Sequence, residues 1–179
     1  LISLQDKGEV KLIGLTPKSI QGDHVIQEIM THLGVESSFD SEGLLLRKSG
    51  KISSSFEYDF TDCPDLAQTV AVAAGLCKVK VSMTGLQSLR IKETDRITAL
   101  KNELKKFNIN FHEKEGFWVV ENENKPWSSP VEIETYEDHR MAMAFMPACS
   151  LSSLNIKDPG VVSKSYPHFW EDVEKALKP

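Results

Sequence analysis

Three apolar helix faces recur along this chain at a nearly constant spacing. Ile26, Ile29 and Leu33 align with Ile97, Leu100 and Leu104 at an offset of 71 residues, and these align with Trp170, Val173 and Leu177 at a further 73. Asp65 and Asp138 are separated by the same 73 residues, each at the head of an apolar helix. Such repetition restricts the fold sharply, because each copy is one supersecondary unit that buries its apolar face only by stacking on its neighbours. The unit reads strand–helix–strand–helix–strand–strand, which makes the chain α+β.

Leu1-Ile2-Ser3-Leu4 is a short apolar piece that reads as the tail of a truncated helix. Val10 to Gly14 alternates as a strand. A helix starting near Gln21-Gly22-Asp23 carries Ile26, Ile29, Met30 and Leu33 on one face, and Gly34 ends it. Strands are expected over 35–39 and 44–48, and Lys51 to Ser55 reads as a loop. A strand over 56–60 opens the next unit. Asp62-Cys63-Pro64-Asp65 then starts a helix running to about Leu76, apolar nearly all round and hence enclosed by other elements. A strand over 79–83, a helix beginning at Thr94-Asp95 and a hairpin over 109–113 and 117–121 complete it. After a polar linker at 122–130 come a strand at 131–135, an apolar helix over 139–150 that Pro147 should bend or end early, a strand at 154–157 and an amphipathic helix over 167–177. On this template a partial first unit (about 1–50) lacks its opening strand and most of its first helix. The unit at about 56–121 is whole, and a partial third unit (about 131–179) lacks its closing strands.

The stretch from Leu89 to Ile97 carries five ionised residues where a turn feeds a helix. A solvated helix start is the plain reading. The sharper one is an anion site, since a helix N-terminus carries roughly half a positive charge and Lys92 and Arg96 lie beside it. The repeat favours convergence. Lys92 and Lys164 fall within one position of each other in successive units, and Asp65 and Asp138-His139-Arg140 both head a first helix. Packing about a pseudo-threefold axis points these helix N-termini to one end of the domain, where their ionisable residues gather.

A net charge of -5 argues against a general nucleic-acid surface, so any anion site is a local concentration of Lys and Arg in an acidic whole. Cys63, Cys77 and Cys149 are expected to be buried free thiols in a reducing compartment rather than disulfides or metal ligands. No apolar run reaches transmembrane length and no signal peptide is visible, so the expectation is a cytoplasmic protein with no membrane partner. The start at Leu1 suggests an excised piece of something longer.

Arg90-Ile91-Lys92-Glu93-Thr94-Asp95-Arg96 resembles a signature of the EPSP synthase family, and Asp138-His139-Arg140-Met141-Ala142-Met143-Ala144-Phe145 resembles another. Pro64-Asp65 before an Ala-rich helix and Lys164-Ser165-Tyr166-Pro167 match two more, in the family's order and spacing. The resemblance implies the C-terminal domain of a two-domain enolpyruvyl transferase, with helices inside, sheets outside and an active site in the cleft against an N-terminal domain absent from these residues. It implies transfer of the carboxyvinyl group of phosphoenolpyruvate to the 5-hydroxyl of shikimate 3-phosphate, in the shikimate pathway of aromatic amino acid biosynthesis, with no metal or organic cofactor.

The same resemblance implies roles. Asp65 hydrogen-bonds the attacking hydroxyl and can take its proton, although a helix-cap role alone would also explain it. Lys92 lies near that hydroxyl. Glu93 protonates the methylene carbon and later removes a proton there. Arg96 and Arg140 clamp phosphoenolpyruvate with planar forks suited to carboxylate and phosphate. Lys164 stands on the departing phosphate, and Ser88, where many relatives have Asn, touches the shikimate phosphate. His139 reads as a helix-start residue orienting its neighbours, and Met141, Met143, Phe145 and Met146 as core. Two competing readings remain: the sister transferase acting on UDP-N-acetylglucosamine, whose motif pairing differs, and a non-catalytic repeat scaffold.

Overall fold

The repeat is written into the strand pairing. The computed structural model describes residues 1–18, 22–91 and 95–177. The first unit holds β1 (Glu9–Ile13), α1 (Ile26–Thr31), β2 (Val35–Phe39) and β3 (Gly43–Lys48), with β3 antiparallel to a neighbour on each side. The middle unit holds β4 (Ser55–Asp59), α2 (Ala67–Leu76), β5 (Lys80–Thr84), α3 (Arg96–Lys105) and the hairpin β6 (Ile109–Lys114) and β7 (Phe117–Asn122). Its sheet runs β4-β5-β7-β6, with β4 parallel to β5 and the other pairs antiparallel. The third unit holds β8 (Val131–Ile133), α4 (His139–Phe145), β9 (Leu154–Ile156) and α5 (Phe169–Leu177), with β8 parallel to β9.

These sheets are fragments of one pattern. β1, β2 and β3 stand to one another as β5, β6 and β7 do; β8 and β9 stand as β4 and β5 do. Each parallel pair needs a helical crossover, which α2 and α4 provide. Among the described residues the first unit has no counterpart of β4 or α2, and the third has none of the hairpin.

α2 is innermost. Its Ala- and Val-rich sequence gives it no polar stripe to turn outward, and it packs on α3, α4, β5 and β7. Val70, Ala71, Leu100, Phe107, Met141 and Phe145 form one continuous buried core across the units. β4 and β6 of the middle sheet give one face to this core and the other to solvent, as the alternation along them shows. Helices are therefore inside and sheets outside.

As Pro147 leads one to expect, the apolar helix over 139–150 is α-helical only to Phe145, and Met146–Ser150 is a 3₁₀ turn, because Pro147 has no N–H to donate. Two local expectations need correction. The tighter 3₁₀ period turns Cys149 outward; Cys63 is buried, Cys77 half-buried, and all three thiols are free. Leu1 to Leu4 forms a separate 3₁₀ turn over Ile2–Leu4. No helix among the described residues is long and apolar enough to cross a membrane.

Candidate functional site

Three helix starts meet at one place. Pro64 opens a 3₁₀ turn, Pro64–Leu66, that leads into α2 and carries Asp65. Asp95 caps α3, accepting hydrogen bonds from the backbone N–H groups of Ile97 (3.1 Å) and Thr98 (3.2 Å). The Thr98 hydroxyl also donates to it at 2.7 Å and, first among several donors, holds its carboxyl below the usual range. Asp138 caps α4 by accepting from the Arg140 backbone N–H at 2.8 Å. The caps fix where each helix begins, and so which way Arg96 and Arg140 project.

What they project into is, among the described residues, a chain of four charges. Arg96 donates from Nε to Asp138 at 2.6 Å and from Nη1 to Asp65 at 2.9 Å. Arg140 donates to the other oxygen of Asp65 at 2.8 Å and to the Asp65 backbone carbonyl at 3.2 Å. The two halves differ in exposure. The side chains of Arg96 and Asp138 are 2% and 0% exposed, whereas those of Asp65 and Arg140 are 31% and 30% exposed. The inner pair is thus a foundation and the outer pair a surface that a solute can reach. Arg96, expected beside Arg140 as a clamp, bridges Asp65 and Asp138 among the described residues.

Removing one member of a buried pair leaves its partner charged and unpaired, which is costly. Arg96→Met should therefore lower the unfolding free energy by about 3 kcal/mol, read from urea midpoints. A loss under about 1 kcal/mol, the scale of exposed ion pairs, would contradict the burial of this pair.

Asp138 is itself held from behind. The residues before it, Tyr136 and Glu137, are left-handed at φ 54° and 57°, a backbone state non-glycine residues adopt only when their surroundings impose it. Glu103 supplies the constraint. This buried carboxylate accepts from the Tyr136 hydroxyl (2.9 Å), the Glu134 backbone N–H (3.1 Å) and the Lys106 ammonium (2.6 Å). It ties α3 to the 134–138 segment and so keeps Asp138 against Arg96. Glu103 does not stand out as a site residue in the sequence, whereas Asp138 does, since it repeats Asp65 at 73 residues.

On the other side, Gly85 (φ +75°) lets the chain leave β5 close to Thr61, whose backbone N would lie 2.2 Å from any Cβ placed there. The following 3₁₀ turn, Gln87–Ile91, carries half-buried Ser88 and packs against the turn bearing Asp65. Lys164 is exposed at the end of a 3₁₀ turn, Pro159–Lys164, that packs on α4. Lys92 and Glu93 lie outside the described residues.

Burial lowers the His139 pKa below its ordinary value; Asp138 opposes the shift, and the positive charges of Arg140, Arg96 and Lys164 reinforce it. The unfolded chain then binds a proton more readily than the folded one. Stability is full above about pH 6.5, the ordinary histidine pKa, and falls as pH drops below it toward the folded-state value. His139→Gln should flatten this acid limb in urea titrations at stepped pH. An unchanged slope would show that His139 is not its source.

A family model described as EPSP synthase (3-phosphoshikimate 1-carboxyvinyltransferase) matches residues 3–173. The 3-phosphoshikimate 1-carboxyvinyltransferase of Bacteroides fragilis is 44% identical over 180 residues, covering 98% of this chain and 43% of its own length. That of Idiomarina loihiensis is 34% identical over 174 residues, covering 97% of this chain and 40% of its own. A solved structure of EPSP synthase from Acinetobacter baumannii superposes with a TM-score of 0.72 at 24% identity, over 98% of this chain and 43% of that one, which supports the fold. The chain spans less than half the length of these relatives.

Proposed function

We propose, from the fact that this chain belongs to the EPSP synthase family, that it is the C-terminal domain of such an enzyme and forms one half of an interdomain site. There the carboxyvinyl group of phosphoenolpyruvate passes to the 5-hydroxyl of shikimate 3-phosphate in the cytoplasm. One observation carries the reading: Asp65, Arg96 and Arg140, from the starts of three helices, meet in a single ionic chain whose outer pair is open to solutes.

The chemistry follows from the residue types. Arg140 turns its fork from Asp65 to the anionic groups of phosphoenolpyruvate, which it matches bidentately. The freed oxygen of Asp65 accepts the hydrogen of the 5-hydroxyl, and Lys92 lowers the cost of charge developing on that oxygen. Glu93 gives a proton to the methylene carbon while the 5-oxygen bonds to the adjacent carbon, producing a tetrahedral intermediate. Loss of phosphate beside Lys164, which carries off the proton taken from the 5-hydroxyl by Asp65, with return of a proton from the new methyl group to Glu93, restores the vinyl double bond. Arg96, behind Asp65, orients that carboxylate and adds its charge to the site. Ser88 contacts the phosphate of shikimate 3-phosphate. The remainder of the same protein supplies the facing half.

Arg140→Lys in the intact protein keeps the charge and removes the fork. It should raise the KM for phosphoenolpyruvate about 10–100-fold, the scale of a charge-assisted bidentate contact, with the KM for shikimate 3-phosphate little changed. Equal effects on both substrates, or none, would count against the assignment.

A further inference from the structure

Lys164 ends a turn that is anchored in an apolar cluster of its own. Val162, within the 3₁₀ turn Pro159–Lys164, is buried together with Ala142, Met146 and Phe169, in a cluster separate from the core that spans the units. Ala142 belongs to α4, Met146 to the turn that follows it, and Phe169 to α5. The charge of Lys164 is felt at His139, where it helps to lower the histidine pKa. The turn therefore sets Lys164 at the end of α4 that carries Arg140.

The turn starts under strain. Asp158, just before it, is left-handed at φ 44° and precedes a proline, a state that a non-glycine residue adopts only when its surroundings impose it. α5 supplies a restraint at each end. At the start, the indole N–H of Trp170 donates to the Pro159 carbonyl at 2.9 Å. At the end, the backbone N–H groups of Ser165 and Tyr166 donate to the Val162 carbonyl at 3.0 and 2.8 Å, and the Tyr166 hydroxyl donates to Asp172 of α5 at 2.7 Å. Asp172 is held in turn by the Lys175 ammonium at 2.8 Å. The ring of Phe169 meets those of Tyr166 and Trp170 edge-on, at 5.8 and 4.9 Å between centroids. The repeat asks only for an apolar residue at Trp170, which aligns with Ile26 and Ile97, so its hydrogen bond is an addition of this unit.

We propose that Trp170 and Tyr166 are positioning residues for Lys164: through them α5 pins both ends of the turn and keeps the Lys164 ammonium at the head of α4. Trp170 fixes where the turn begins and Tyr166 fixes where it ends, so the direction of Lys164 is set from outside its own segment. The inference deepens the role given to Lys164 in phosphate departure, and rests on that reading for its effect on catalysis alone.

The intact protein carrying Trp170→Phe or Tyr166→Phe tests it, since each change keeps a ring for the apolar cluster and removes one donor. Hydrogen exchange at the Val161, Ser165 and Tyr166 amides, all bonded within the turn, should quicken about fivefold or more while the amides of α2 stay unmoved. The kcat/KM for phosphoenolpyruvate should fall about fivefold, the scale of one lost hydrogen bond, with the KM for shikimate 3-phosphate little changed. Added to Lys164→Ala, either change should cost nothing further, because a support acts only through what it holds. Unaltered exchange in the turn overturns the inference. So does quickened exchange with full activity where Lys164→Ala alone is impaired, and so does the same loss on top of Lys164→Ala. If Lys164→Ala itself leaves transfer unaltered, the catalytic role of Lys164 fails, and quickened exchange still supports the restraint by α5.

Discussion

The 179-residue chain, given phosphoenolpyruvate and shikimate 3-phosphate, is expected to release no phosphate above background. The reason is geometric. Holding two reactants in register is worth about 7–11 kcal/mol of barrier, and on the proposed reading that depends on closing two domains over both substrates. One domain offers one half of the site, of which the Asp65–Arg140 face is part. Their side chains are about one-third exposed, so water competes with an incoming anion, and the chain's net charge of -5 does not attract one from a distance. Weak anion binding is the most that face provides. Phosphate release by the purified chain, measured against the intact protein, decides the matter; appreciable turnover would mean that one half carries the chemistry.

Much of this arrangement was legible before any coordinates. The 71- and 73-residue offsets predict repeated units; β5 follows β1 by 71 residues and β9 follows β5 by 73, whereas the hairpin strands β6 and β7 follow β2 and β3 by 74. Pro147 marks the end of α4, as a residue without an N–H must. Other features depend on partners far away in the chain. Glu103 precedes Leu104 of the apolar stripe on α3 and is buried because Tyr136 and the Glu134 backbone reach it from the next unit. The Arg96–Asp138 pair bridges 42 residues, so no local pattern shows it. The motif resemblance suggests two clamping arginines of equal standing; only the fold distinguishes a buried one from an accessible one. The exposure of Cys149 follows from a 3₁₀ turn that an apolar run does not announce.

The claim that this end of the chain performs chemistry, rather than merely holding substrates or scaffolding a partner, turns on Glu93. A carboxyl positioned to give and then remove a proton at carbon contributes about 10²–10⁴ in rate. Glutamine keeps the size and polarity of the side chain but cannot carry that proton. In the intact protein, Glu93→Gln should therefore lower kcat by about 10²–10⁴ while both substrates still bind with nearly unchanged affinity. The direct test is a single-turnover measurement of carboxyvinyl transfer, with substrate binding measured on the same preparation. The account predicts slow transfer from fully bound substrates; transfer at the unaltered rate would contradict it.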